Sequence, residues 1–199
     1  MKLYTYVIRS DNGSAPNYDP PFTTLAICKP DIRRCAQVGD AVLAFTGRNL
    51  SREAHAVCWA GVIREKVTFA EYWRDRRFQG KKPGRSATPD NIYEPIGSRL
   101  WQVKNPVHDD GNALTDLSGA FVLVLDPVWR FGASGPVLPG EFGLRMVGGR
   151  RKHRVHDLTK RAWHRLSAWL DRQEQARDAA RGGSCGNARP APAPRGCCS

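Results

Sequence analysis

The sequence places a cysteine and a lysine side by side just before a predicted helix. Cys28 and Lys29 precede Pro30, whose fixed φ and missing N–H suit the first turn of a helix. An adjacent ammonium group and a helix start both favour a thiolate, so Cys28 is a candidate nucleophile. The alternative is a small buried cysteine beneath a lysine that faces solvent or a phosphate. Lys29 and Arg33, one helical turn apart, fit an anion clamp better than a catalytic role.

Acidic and aromatic residues supply the other candidates. A nucleobase site needs an aromatic face on which the base stacks and polar groups that read its edge. The acidic candidates for catalysis are Asp11, Asp75 and Asp90. The candidates for binding a nucleotide or nucleic acid are Asn17, Lys29, Arg33, Tyr72, Trp73, Asp75, Arg77, Phe78, Asn91, Tyr93, Arg150 and His153. Because Tyr72 and Trp73 are adjacent, we expect one in the core and the other beside the cleft.

Motifs for metals and cofactors are missing from the sequence. The cysteines form no C-x-x-C pair, and the late histidines (His153, His156 and His164) lie among lysines and arginines that disfavour a dication. A phosphate contact from Arg150 and His153 and a solvated basic turn are the two alternatives for that segment. Without a P-loop, G-x-G-x-x-G or G-x-S-x-G motif, the sequence predicts no cofactor and no metal site.

The chain is strongly basic, which favours an anionic partner. Its 199 residues include 31 Lys and Arg against 19 Asp and Glu, a formal net charge of +12. Basic residues concentrate in residues 74–85 and 150–165, so nucleic acid or a nucleotide is the expected partner; a surface that only aids solubility is the alternative. No apolar run is long enough for a bilayer and no signal-peptide cleavage site is present, so we expect a cytoplasmic protein without a membrane partner.

The pattern of apolar residues predicts an α+β fold. Strands are expected at residues 3–8, 41–45, 56–63, 91–93, 100–103 and 121–125. Thr68 and Glu71 form a capping box at a helix start, residues 107–116 resemble a polar loop, and Asp157 is the expected N-cap of a C-terminal helix. We therefore predict a mixed, curved or barrel-like sheet with a few short helices over residues 1–172, and a disordered polar tail over 173–199.

Several residue strings, in one order between Tyr4 and Leu170, resemble a known family. It is the nucleotide modification associated domain of the second type, a small domain associated with DNA base modification systems. The strings include Asp11-x-Gly13-x-Ala15-Pro16-Asn17, Cys28-Lys29-Pro30-x-Ile32-Arg33, Phe69-x-Glu71-Tyr72-Trp73-x-Asp75-x-Arg77-Phe78, Asp90-Asn91-Ile92-Tyr93 and Leu117-Ser118-Gly119. Near His153 the sequence departs from the family's Gly-Arg-Gly-His-Arg. The Gly39-Asp40 turn before a strand is more loosely similar to the EVE, ASCH and PUA barrels, which implies a barrel-like sheet.

These observations favour a nucleic-acid or nucleotide binding domain linked to DNA base modification. It would recognise a modified base in an aromatic cleft with a basic rim. The alternative is an enzyme that makes, transfers or removes a modified base or nucleotide using Cys28 and acidic residues. A protein-interaction domain with an incidental basic surface is a third possibility. The choice among DNA, RNA and free nucleotide, and the oligomeric state, stay open at this point.

Overall fold

The computed structural model describes residues 1–53, 55–144 and 153–182. In this part of the chain the strands are β1 (Lys2–Ile8), β2 (Thr23–Leu25), β3 (Ala41–Thr46), β4 (Val57–Thr68), β5 (Tyr93–Ile96), β6 (Arg99–Gln102), β7 (Phe121–Arg130) and β8 (Arg154–Asp157). The α-helices are α1 (Pro30–Cys35), α2 (Phe69–Arg74), α3 (Ala113–Leu117) and α4 (Lys160–Gly182). Short 3-10 helices cover Arg76–Lys81, Asp110–Asn112, Gly132–Ser134 and Gly140–Phe142. None of these helices is long and apolar enough to cross a membrane.

Six strands form one mixed sheet in the order β2-β7-β4-β3-β1-β8, and β5 and β6 form a separate hairpin. β1 and β3 are parallel, whereas the other neighbours in the large sheet are antiparallel. The predicted α+β class, mixed sheet, short helices and C-terminal helix are confirmed. Closure into a barrel is not found among the described residues, because β2 and β8 are opposite edges of the sheet. Both are short strands, which is a common property of open edges.

The two faces of the sheet bury separate apolar clusters, as alternation along the strands requires. On one face Leu3, Leu43 and Phe45 pack with Leu166 and Trp169 of α4. On the other face Tyr6 and Trp59 pack with Ile32 and Ala36, at and just after α1. The helices α1 and α4 therefore cover opposite faces, and each fully buried large apolar side chain contributes about 1.5–3 kcal/mol.

A third cluster joins α2 and the hairpin to the end of the sheet. Phe69 and Tyr72 of α2 pack with Phe78, Tyr93 and Val122. The helix begins with the predicted capping box: Thr68 accepts a hydrogen bond from the Glu71 N–H, and the Glu71 carboxylate accepts from the Thr68 N–H. This cap satisfies backbone N–H groups that the first turn leaves free.

Some elements differ from the sequence-based expectation. Residues 107–116, predicted as a polar loop, include a 3-10 turn and most of α3. β8 was not predicted, and Asp157 ends it instead of capping α4. The hydroxyl of Thr159 accepts from the Ala162 N–H and so caps that helix. α4 then continues beyond residue 172 to Gly182. Residues 183–199 of the predicted tail lie outside the described residues.

Candidate active site

A cysteine meets a histidine and an aspartate from a distant segment of the chain in a hydrogen-bonded row. The Cys28 Sγ lies 3.5 Å from Nε2 of His108. The other ring nitrogen of His108, Nδ1, lies 2.6 Å from Oδ2 of Asp116. Cys28 is half-buried, the His108 side chain is 14% exposed and Asp116 is buried. This is the geometry of a nucleophile, a base and a group that orients the base.

Backbone contacts hold Cys28 in an unusual conformation between β2 and α1. Cys28 and Lys29 have φ angles of 60° and 44°, in the left-handed region that non-glycine residues rarely adopt. Such residues cost on the order of 1–3 kcal/mol each and persist only where their surroundings fix them. Here Oδ1 of Asp116 accepts the Cys28 N–H at 2.8 Å, and Nε of Arg33 donates to the Cys28 carbonyl at 2.8 Å.

Arg33 acts as an internal brace. Its guanidinium donates to the carbonyls of Cys28, Asp116 and Phe121 and thereby ties α1 to α3 and β7. The side chain is fully buried, and desolvation lowers its pKa to about 10. The Arg33 guanidinium is therefore not exposed, and in this structure it does not form the anion clamp predicted with Lys29.

Asp116 is the shared acceptor of the site. Besides binding Cys28 and His108, it accepts a hydrogen bond from the Tyr93 hydroxyl at 2.9 Å. The hydrogen bond that the ring donates to Asp116, and next the one that it donates to Cys28, raise the pKa of His108 to about 10. The imidazole is therefore protonated at neutral pH. A cysteine beside an imidazolium is the arrangement that produces a nucleophilic thiolate in cysteine enzymes.

The loop that carries His108 is fixed by side-chain amides. Oδ1 of Asn105 accepts the backbone N–H groups of Val107 and His108. Nε2 of Gln102, at the end of β6, donates to the His108 carbonyl at 2.9 Å. The hairpin thus positions both Tyr93 and His108. Neither His108 nor Asp116 was a candidate from the sequence, since no histidine lies near Cys28 along the chain.

Cys28, His108 and Asp116 also have the atom types of a metal site, with ligand atoms within 4.8 Å of one another. Two observations favour a catalytic row over a metal centre. The 2.6 Å between His108 Nδ1 and Asp116 Oδ2 is a hydrogen-bond distance, whereas neighbouring ligands of a tetrahedral zinc ion are about 3.3 Å apart. Both Asp116 oxygens, moreover, already accept hydrogen bonds from the protein.

A second group of polar residues adjoins Cys28 across Tyr6. Lys29 Nζ lies over the Tyr6 ring at 4.3 Å, and burial lowers the Lys29 pKa. Beyond Tyr6, burial and next the Asp11 charge raise the pKa of Cys58 to about 12. Among the described residues, Asp11 Oδ1 and the Tyr18 hydroxyl are buried without a hydrogen-bond partner. Asp11 is thus the acidic candidate placed on the Cys28 side of the sheet.

Asp90 lies in a separate, fully buried polar cluster. Its carboxylate accepts hydrogen bonds from the hydroxyls of Thr24 and Tyr72, each at 2.7 Å. Burial raises the pKa of Asp90 to about 6, although the nearby Lys81 ammonium opposes the shift. Lys81 donates to Oδ1 of Asn17 at 2.7 Å. The candidates Asp90, Tyr72 and Asn17 therefore meet one another in the interior, away from solvent.

The remaining candidates lie in several places. Asp75 and Glu65 flank Arg77 at the surface, with ion-pair distances of 2.7 and 2.8 Å. Phe78 and Asn91 are buried, whereas Trp73 is half-buried with the Lys82 ammonium 3.7 Å from its ring centre. The ring of His153 lies 6.1 Å from that of Tyr4. The predicted site residue Arg150 lies outside the described residues.

The fold and site define an α+β protein with a cysteine–histidine–aspartate row beneath the first helix. A profile of nucleotide modification associated domain 2 matches residues 1–184. The chain belongs to this family, so the resemblance seen in the sequence is confirmed. The family associates it with nucleotide modification. No curated protein and no solved structure matches the chain.

Proposed function

We propose that this protein is an enzyme of nucleotide or nucleobase modification that uses Cys28 as a covalent nucleophile. The observation that carries the proposal is the row from Cys28 Sγ through His108 to Asp116, at 3.5 and 2.6 Å. The family's association with nucleotide modification supports a nucleobase or nucleotide as the substrate. In this proposal, the recognition of a modified base that the sequence predicts is the substrate-binding step of the enzyme.

The reaction begins with attack by the Cys28 thiolate on an electrophilic carbon of the modified base or its substituent. An S–C bond forms as the bond from that carbon to the leaving group breaks, and His108 gives its Nε2 proton to the leaving group. Neutral His108 then takes a proton from water or an acceptor hydroxyl, which attacks the same carbon. The S–C bond breaks and the thiolate is restored. Asp116 is a positioning residue: it accepts a hydrogen bond from Nδ1 of His108, so that Nε2 is the nitrogen that gives and takes the proton.

The position of Lys29 favours a negatively charged substrate at this site. Its ammonium group adjoins Cys28 and lies over the Tyr6 ring, whereas Arg33 is occupied by carbonyl groups. Burial lowers the Lys29 pKa, so the pairing of its ammonium with a phosphate would offset a desolvation cost. We therefore assign Lys29 as the substrate-phosphate contact within the proposed site.

The test is covalent trapping with a matched thiol control. The full chain is incubated with oligonucleotides and nucleotides bearing acylated, alkylated or glycosylated bases, and intact mass and substrate turnover are followed by mass spectrometry. We expect turnover and an adduct at Cys28 in the wild type and in Cys35→Ser, which removes an exposed thiol at the end of α1. Cys28→Ser should lose both. Wild-type turnover in Cys28→Ser would rule out the proposed nucleophile.

A second candidate, a reader without catalysis, is favoured by the Trp73 region. Trp73 is half-buried beneath Lys82, next to the basic residues 74–85, and so combines an aromatic face with a positive rim. Binding of modified DNA that Trp73→Ala abolishes, together with no turnover by any variant, would favour this candidate over the enzyme.

A further inference from the structure

α4 borders an open groove of about 500 Å³ on the face of the sheet opposite Cys28. Its lining includes Glu141 and Phe142 from a 3-10 helix, and Arg161, Arg165 and Arg172 from α4. His164 also faces it. The groove is therefore bordered by one acid and several basic side chains, and we call it the α4 groove.

The arginines of the α4 groove form one stripe along the helix. Arg161, Arg165 and Arg172 are four and then seven residues apart, a spacing that keeps side chains on one face of a helix. At 1.5 Å of rise per residue they span about 16 Å along the axis. One mononucleotide phosphate cannot meet cations spread over that length, whereas successive phosphates of a strand can.

The positive charge of this stripe is largely uncompensated. Within residues 1–53, 55–144 and 153–182, Arg161 and Arg172 have no ion-pair partner. Arg165 and Glu141 are 3.6 Å apart, but both are more than 60% exposed, and such surface pairs contribute little.

The acids of α4 are engaged with other groups. Asp171 accepts the Trp129 indole N–H at 2.8 Å, and Glu174 and Asp178 both pair with Arg177. They are therefore not the partners of the groove arginines.

An aromatic side chain, Phe142, lines the α4 groove. The Phe142 ring packs against Trp169 at 5.9 Å, and the Arg165 guanidinium lies 6.0 Å from its centre. An aromatic face beside arginines offers a stacking surface to a base or sugar while the guanidinium groups contact phosphates.

We propose that the α4 groove binds the phosphate backbone of a nucleic-acid strand. This site goes beyond the proposed function, since it lies on the face opposite Cys28 and involves no residue of the catalytic row. It serves as a tether that keeps the protein on nucleic acid. The choice of nucleic acid as the polyanion rests on the family's link to nucleotide modification.

The test measures DNA binding by fluorescence anisotropy, with a labelled 20-nucleotide strand and the corresponding duplex. The triple variant Arg161→Gln, Arg165→Gln, Arg172→Gln is compared with the wild type between 50 and 200 mM salt. We expect at least about a tenfold loss of affinity at low salt, and a salt slope smaller by about two to three because three phosphate contacts are lost.

The matched control removes the same charge elsewhere, at exposed arginines between β3 and β4 and at the start of β6, outside both proposed binding regions: Arg48→Gln, Arg52→Gln, Arg99→Gln. The affinity of this control for DNA should fall by less than about threefold, since only the long-range electrostatic attraction is weakened. Equal losses in the two triple variants, or no loss in the groove variant, would overturn the proposal. So would complete displacement of the strand by millimolar deoxynucleoside monophosphate or inorganic phosphate. Covalent trapping at Cys28 is measured separately, so the catalytic proposal can fail while this one stands.

Discussion

Nδ1 of His108 lies 2.6 Å from Asp116 Oδ2, and Oδ1 of the same carboxylate accepts the backbone N–H of Cys28 at 2.8 Å. One buried side chain therefore sets both the orientation of the imidazole and the position of the cysteine that it faces. This arrangement fixes the distance between the thiol and the ring, as catalysis by a nucleophile and base requires. It also means that changes at Asp116 and at His108 should have different consequences.

Replacing His108 by Gln should slow alkylation of Cys28 by iodoacetamide at pH 7 by about tenfold, because the imidazolium that faces the thiol is lost. Alkylation is followed site by site by peptide mass spectrometry. Exposed Cys35 is the internal reference and should keep its rate. Buried Cys58, whose pKa is raised to about 12, should react slowly in both proteins. An unchanged Cys28 rate would show that His108 does not activate the thiol.

Asp116→Asn should destabilise the protein more than Tyr93→Phe. The amide presents N–H donors where His108 and Tyr93 also donate, so we expect a loss of about 3–5 kcal/mol in the free energy of unfolding. Tyr93→Phe removes one hydrogen bond to Asp116 and should cost about 1 kcal/mol. Urea denaturation at pH 7 measures both. Equal small losses would mean that Asp116 does not organise the site.

Gly119→Ala should strain the brace formed by Arg33. A Cβ atom at Gly119 would lie 2.5 Å from Cζ of Arg33, and the guanidinium cannot move away because it donates to three carbonyls. We expect a loss of about 1–3 kcal/mol in the free energy of unfolding. Gly80→Ala is the matched control, since nothing lies within 4 Å of its Cβ position. Similar melting temperatures for the two variants would argue against a rigid Arg33.

The sequence predicted the elements whose signals are local. The capping box at Thr68 and the proline at the start of α1 depend on neighbouring residues, and both helices begin where expected. The apolar run 121–125 likewise became the core of β7. Cys28 was identified for the same reason, because its predicted position before a helix follows from Pro30 alone.

The partners of Cys28 were missed because tertiary contacts bring them together. His108 is far from Cys28 in sequence and lies in a segment that reads as a polar loop, so no periodicity marks it. The charge of Arg33 predicts an exposed contact to an anion, whereas in the structure buried carbonyl groups satisfy the guanidinium. One sequence signal did mark this region. The string Leu117-Ser118-Gly119, which resembles the family, includes a glycine that leaves room for Arg33.

Asp90→Asn should change how stability depends on pH, because the buried carboxyl is hard to ionise. Burial raises the pKa of Asp90 to about 6 from the ordinary value of 3.8, despite Lys81 and the hydrogen bonds from Thr24 and Tyr72. Folding therefore favours the protonated carboxyl of Asp90. Its contribution to the free energy of unfolding is complete below pH 3.8 and is lost as the pH rises through about 6. At 1.36 kcal/mol per pKa unit, the loss is about 3 kcal/mol.

The measurement is the difference in unfolding free energy between wild type and Asp90→Asn at pH 4, 5, 6 and 7. Since an amide does not ionise, the variant should gain about 2.4 kcal/mol relative to the wild type between pH 4 and pH 7, because the first part of the loss occurs below pH 4. Taking the difference cancels groups common to both proteins, such as Glu65 and Asp75, whose pKa values are lowered mainly by hydrogen bonds from Arg77. Asp126→Asn, at a half-exposed carboxylate, controls for the removal of one charge. A pH-independent difference for Asp90→Asn would mean that Asp90 ionises in the folded protein as readily as in the unfolded chain.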